Sequence, residues 1–289
     1  MAETKDFYLL NNDVIFKNVF NTKERLKRLL ESILKVEIYD IREKNTELEK
    51  TNKKNKKLVL DLVLDTNVGK INVEVNNNSK NYIIKRNLLY FFRLIGMCLK
   101  EAEDYENIGM HTQINLTWGL QSHYDYDITD RDKIELCITD TKTHKIRYGN
   151  VFKIIDVNMD YFNRLCYNED MNEEERLLKF LSSKNEKELK VNSEGDRFME
   201  EIKDKVYLLN EDPEIIEQLY VEGEERRVRN TERKIGREEG LEQGLQQGLK
   251  QGKTQEKIEI AKNMILKNMD IKTISEITGL SEGEIKGLK

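Results

Sequence analysis

The chain has 289 residues, 38% hydrophobic and 36% charged, and 49 Lys and Arg against 54 Asp and Glu leave a net charge of −5. That length supports a substantial core, and an aromatic content of 8% argues against wholesale disorder. The acidic balance excludes retention of nucleic acid by bulk charge alone, and no apolar run nears the ~18–20 residues of a spanning helix. The opening MAETKDFYLLNND has neither the basic nor the apolar region of a secretion signal, and Cys98, Cys137 and Cys166 form no paired spacing. A cytoplasmic protein without membrane partners is therefore expected.

Asn12 and Asp13 precede Val14, Ile15, Val19 and Phe20, a pattern that predicts a short amphipathic helix. Asn21 and Glu24 read as a capping box for a second helix burying Leu26, Leu29, Leu30, Ile33 and Leu34. Glu31 interrupts that apolar face, as an exposed glutamate or as an accessory acid. After the lysine-rich stretch 50–57 come two strand-like runs, 58–64 and 70–76. With Thr66-Asn67-Val68-Gly69 as a four-residue loop, Asp65 faces Lys70 and Asp61 faces Glu74. One face of this hairpin is then wholly apolar (Leu60, Leu62, Leu64, Ile71, Val73, Val75), which holds the register, since a one-residue slip exposes all six. The other carries Asp61 and Glu74 with β-carbons about 5 Å apart. Two facing carboxylates repel, so the pair is either a solvated hairpin face with an Asp65–Lys70 ion pair or a divalent-cation site.

Residues 82–100 read as a long helix, apolar over most of its circumference and without an acidic residue. Strands are predicted at 111–118, 133–140 and 151–158, and the interleaving of strands with helices predicts an α/β sheet over residues 1–165. His111, His123 and His144 are too dispersed for a zinc site, and neither a nucleophile elbow nor a phosphate-binding loop occurs. Residues 166–235 form a charged helical extension without strand signals. Residues 236–289 make up an all-helical tail in which Gly236, Gly240, Gly244, Gly248 and Gly252 recur every fourth position. Five glycines cost a helix about 4–5 kcal/mol relative to alanine, so compensation is needed. A second copy packed against Leu241, Leu245 and Leu249 supplies it, or the stretch is a flexible linker. Residues 271–288 read as a helix-turn-helix with Gly279-Leu280 at the turn and Ser281 capping the second helix, whose two glutamates suit packing better than base reading.

Asp61 followed on the next strand by Glu74-Val75-Asn76 resembles the D…(D/E)xK signature of the PD-(D/E)xK nuclease superfamily. More closely, the chain resembles its recombination-promoting nuclease (Rpn) family of transposase-like proteins. The likeness runs through NNDVIFKNVF, the hairpin, Arg86 with Tyr90 one turn on, QINL at 113–116 and the glycine-punctuated tail. It implies a restriction-endonuclease-like core, a mixed sheet flanked by helices, that cuts DNA with Mg²⁺ or Mn²⁺ in recombination or DNA mobility. Asp61 and Glu74, with the Val75 carbonyl, would hold the metal. Asn76 stands where the superfamily has Lys and this family often Gln; it can orient a water or a scissile phosphate but supplies no positive charge. Lys80 and Lys85 are candidates for that charge, and Arg86 with Tyr90 for a phosphate clamp, in a basic rim with residues 50–57. Two rivals stay open: a catalytically degenerate member acting as a DNA-binding or protein-interaction module, kept alive by Asn76, and a helix-turn-helix regulator with an α/β sensor domain.

Overall fold

The computed structural model describes residues 6–43, 47–48, 58–59, 61–77, 82–96, 108–149, 151–167 and 170–288. The chain divides into two compact units, Met1–Glu217 and Gln218–Lys289. Helix α1 (Asp13–Val19) begins where the Asn12 side chain accepts the N–H groups of Val14 and Ile15. Helix α2 (Lys23–Leu34) is capped by Thr22, whose hydroxyl accepts from Arg25 N–H, one residue later than the Asn21 box predicts. Phe20 closes α1 on the Phe16 carbonyl and is fully buried, and the extended residue that opens α2 is Thr22.

The strands are β1 (Ile41–Glu43), β2 (Glu47–Leu48), β3 (Leu58–Val59), β4 (Leu62–Thr66), β5 (Gly69–Asn77), β6 (His111–Trp118), β7 (Lys133–Leu136), β8 (Ile138–Thr139), β9 (Ile146–Arg147) and β10 (Phe152–Asn158), with helix α3 (Tyr82–Gly96) between β5 and β6. Among the described residues, six of them form one sheet in the order β1-β4-β5-β6-β10-β7. The β5–β6 and β6–β10 pairs are parallel and the others antiparallel, giving the mixed sheet flanked by helices that the sequence predicts. The predicted strand 133–140 splits, because β8 leaves the sheet to pair with β9.

The β4–β5 register is the predicted one, with Asp65 opposite Lys70 and Leu62 opposite Val73. The turn is tighter: Thr66 still pairs with Gly69, leaving Asn67-Val68 as the connection. Gly69 adopts φ +111°, and a β-carbon there would lie 2.1 Å from the Met110 carbonyl oxygen, so the close approach of these backbones requires glycine. The 58–64 run is also not one strand. β3 stops at Val59 and β4 starts at Leu62, which leaves Asp61 at a bend.

Alternation across the parallel strands builds two buried layers. On one face, register rows Val73–Ile114–Ile155 and Val75–Leu116–Val157 are apolar and buried. The opposite face is buried too, yet it is polar: its rows are Asn72–Gln113–Ile154, Glu74–Asn115–Asp156 and Asn76–Thr117–Asn158. Helix α3 covers this layer, with the Asn87 amide donating to Asn115 Oδ1 at 3.1 Å and Tyr90 packing on Val63 and Leu94.

Helices α4 (Met159–Arg164), α5 (Glu173–Leu181), α6 (Glu186–Ser193) and α7 (Arg197–Glu211) follow. They add Leu177, Leu178, Phe180, Met199, Ile202 and Val206 to the buried residues, and Arg28 of α2 ties them in through Asp196 at 2.7 Å and Glu173 at 3.0 Å. Helix α8 (Pro213–Leu266), mostly in the second unit, includes the glycine stripe. Among the described residues nothing lies within 4 Å of a β-carbon built on any of the five glycines of the stripe, and Leu241, Leu245 and Leu249 are exposed. Helices α9 (Ile271–Thr278) and α10 (Glu282–Lys286) join across Gly279, which is left-handed, and Ser281 forms a capping box with Glu284. Ala261, Ile274, Leu280 and Ile285 make their core, while Ile277 faces outward.

Candidate active site

Asp61 and Glu74 come together as the register predicts, on the polar face of the sheet. Because the strand bends at Asp61, its carboxylate takes over the ladder: Oδ2 accepts Val75 N–H at 2.8 Å, and Asp61 N–H donates to Glu74 Oε1 at 3.3 Å. Asp61 Oδ1 pairs with Lys17 Nζ of α1 at 3.0 Å. Glu74 is 2% exposed and receives a further hydrogen bond from the Asn72 amide at 3.2 Å. Burial, then the adjacent Asp61 charge, push Glu74 up to about 8, opposed by Arg86 and the two donors. Burial lowers the Lys17 ammonium, but the Asp61 ion pair outweighs it and raises the group above its ordinary value.

Arg86, one turn into α3, reaches over the pair. Its Nη2 donates to Asn76 Oδ1 at 2.5 Å and lies 3.9 Å from Glu74 Oε2, and its guanidinium stands 5.6 Å from the Tyr90 ring centroid. Asn76 is therefore committed at both ends, since its amide nitrogen donates to Thr117 Oγ1 at 3.3 Å. The sequence reading has Asn76 addressing a water or a phosphate; in the fold its side chain is 2% exposed and accepts from Arg86. Among the described residues, Lys17 and Arg86 are each about one-third exposed, Lys17 on Asp61 and Arg86 beside the buried Glu74.

Lys85 is exposed on α3. Lys80 and the lysines of 50–57 lie outside the described residues. Glu31 is engaged at the end of α2, where it accepts Ile38 N–H at 2.8 Å and faces Lys27 at 3.6 Å. Among the described residues no three His, Cys, Asp or Glu side chains converge. An oxygen-only set of two carboxylates still fits Mg²⁺ or Mn²⁺, which take one or two carboxylates and complete their shell with water and phosphate oxygens.

Motif reading missed Lys17, though it stands inside the NNDVIFKNVF segment, and it missed Asn72, Gln113, Asn115 and Asp156. A signal existed for the last three: polar residues at every second position of HTQINLTW, and an aspartate inside the apolar run VFKIIDVN.

A family model described as PD-(D/E)XK nuclease family transposase matches residues 10–235, a span that contains every residue of this constellation. The chain belongs to that family. A second model, described as the C-terminal HTH domain of the Rpn/YhgA-like nuclease family, matches residues 254–289, the α9–α10 pair with the end of α8. Both agree with the resemblance carried by the motifs. No curated protein and no solved structure matches the chain. As a member of this nuclease family with an HTH domain, the chain is nuclease-like and DNA-directed, and among the described residues no helix is long and apolar enough to cross a membrane.

Proposed function

We propose that the chain is a divalent-cation-dependent DNA endonuclease of low sequence preference, acting in the cytoplasm in DNA recombination or mobility. The observation that carries this reading is the Asp61–Glu74 pair at the strand bend, flanked by the cations Lys17 and Arg86. Asp61, Glu74 and the Val75 carbonyl would hold Mg²⁺ or Mn²⁺. A bound cation there supplies Lewis-acid neutralisation of charge on the scissile phosphate. Arg86 adds the positive charge absent at Asn76: held by Asn76 and backed by Tyr90, it faces the phosphate oxygens as charge accumulates on them. Lys17 balances Asp61 until substrate arrives, and then joins Lys85 as a backbone contact. Such contacts bring affinity and salt dependence without base preference.

Plasmid nicking with Mg²⁺ or Mn²⁺ tests the reading. The intact protein is expected to nick, and Asp61→Ala and Glu74→Ala to lose at least about 100-fold of the rate. Equal cutting by all three would sink the site assignment. A second reading is favoured by one observation, the Lys17 ammonium 3.0 Å from the Asp61 oxygen a metal would use. A catalytically silent member that binds DNA without cutting it has this arrangement permanently, and absence of nicking together with retained DNA binding would select it.

A further inference from the structure

The buried polar face joins Glu74 to a second carboxylate two strands away. Asp156 on β10 is 6% exposed and accepts at both oxygens, from the Asn115 amide at 2.6 Å and from Tyr124 Oη at 2.9 Å. Asn115 Oδ1 in turn accepts from Gln113 Nε2 at 2.8 Å and Asn87 Nδ2 at 3.1 Å. Gln113 Oε1 accepts from Asn72 Nδ2 at 3.4 Å, and the same Asn72 nitrogen donates to Glu74 Oε1 at 3.2 Å.

A carboxamide has one donor end and one acceptor end, so a chain of them can run in either direction unless something fixes an end. An ionised carboxylate only accepts. Asp156 thus makes Asn115 present its nitrogen and turn its oxygen to Gln113 and to Asn87, whose own oxygen accepts from Arg86. Gln113, which also donates to the Asn87 main-chain carbonyl at 3.4 Å, turns its oxygen to Asn72, and Asn72 offers one hydrogen to Gln113 and the other to Glu74. This direction is held at a cost. Asn72 Oδ1 is buried and finds no hydrogen-bond donor among the described residues, a loss of about 1–3 kcal/mol.

We infer that Asp156 is a positioning residue for Glu74: its carboxylate anchors the far end of the Asn115–Gln113–Asn72 amide chain, so that Asn72 turns its nitrogen to the Glu74 side chain. The functional weight of this rests on Glu74 being the metal ligand proposed above; the direction of the chain does not.

The test uses the full-length protein with ¹⁵N-labelled asparagine side chains, the Asn72 amide signal being assigned by its loss in Asn72→Ala. Asp156→Asn removes the obligate acceptor while keeping shape, and the Asn72 signal is expected to shift or split. Combining it with Asn115→Asp exchanges carboxylate and amide at constant volume and charge. The carboxylate at position 115 would then accept from Gln113, from Asn87 and from the amide at position 156. The chain would keep its direction, and the Asn72 signal is expected to return. Tyr124→Phe removes the other hydrogen bond to Asp156 and should leave the signal in place. Mn²⁺ affinity, read by calorimetry without substrate, should fall about tenfold in Asp156→Asn and recover in the exchange, the low end for residues that hold a ligand from behind.

An unmoved Asn72 signal in folded Asp156→Asn, failure of the exchange to restore it, or an equal shift in Tyr124→Phe would each overturn the inference. Should Asp156→Asn not fold, the exchange variant decides alone: a native Asn72 signal supports the chain and a displaced one overturns it. Intact protein that binds no Mn²⁺ would sink the metal reading, while the metal-free amide signal still decides this one.

Discussion

Burial and the neighbouring Asp61 charge raise Glu74 to about 8, so the metal-free fold keeps a proton that the unfolded chain releases above its ordinary value of 4.5. The contribution of Glu74 to stability is therefore full below that value and is lost as pH climbs through 8. Thermal melts of metal-free protein should show Tm falling across this interval, and Glu74→Gln should flatten the slope; a slope unchanged by the substitution would contradict the assignment. Arg86 can be tested separately from the metal ligands. Arg86→Ala should lower nicking by about 100-fold, the scale for removing one donor aimed at developing charge, and Arg86→Lys should recover only part. A lysine keeps the charge but has no planar fork to span Asn76 and Glu74. If Arg86→Ala nicks at the intact rate, the charge comes from elsewhere.

Among the elements, the β4–β5 hairpin and α3 decide the site between them. The bend between β3 and β4 frees Asp61 from the ladder, so its carboxylate can take Val75 N–H and lie beside Glu74. Gly69 sets where that hairpin meets β6, because Lys70 N–H donates to Met110 O at 2.8 Å directly beside it. Gly69→Ala puts a methyl group onto that carbonyl and strains a positive φ, and should destabilise the first unit by about 2–4 kcal/mol, measurable as a lower denaturant midpoint at unchanged m-value. A shift within error would mean that the turn relaxes. The hairpin register was readable from alternation alone, since Leu62 and Leu64 on one strand and Ile71, Val73 and Val75 on the other stand at every second position. What alternation misses is that the polar side is also covered. The side chains that cover it sit on α3, which packs against the sheet through Tyr90 and Leu94 on Val63 and through Phe91 on Phe152.

At the scale of the molecule, a net charge of −5 coexists with a site whose rim is cationic, because Lys17 and Arg86 come from helices well separated in sequence. The second unit has its own small core, and its long helix leaves Leu241, Leu245 and Leu249 exposed beside glycines that nothing touches among the described residues. We propose that a second copy covers that stripe, so that the tail sets the oligomeric state. Replacing the three leucines with glutamine should lower the sedimentation coefficient to that of a monomer and leave the Tm of the first unit unchanged. An unaltered coefficient in a protein that still self-associates would move the interface elsewhere.

The sequence by itself determined the family, the α/β class, the hairpin register with Asp65 opposite Lys70, and the Gly279 turn between two short helices. These rest on periods of two and of 3.6 residues and on short spacings, which are local properties of the backbone. Tertiary structure alone decided that the carboxylate face is buried, that Lys17 meets Asp61, that Asn76 holds Arg86, and that Asp156 is wired to Glu74. Each of these depends on which strands become neighbours and which helix covers them. No local pattern encodes a contact between residues 41 or more positions apart, such as Lys17 with Asp61 or Asn115 with Asp156.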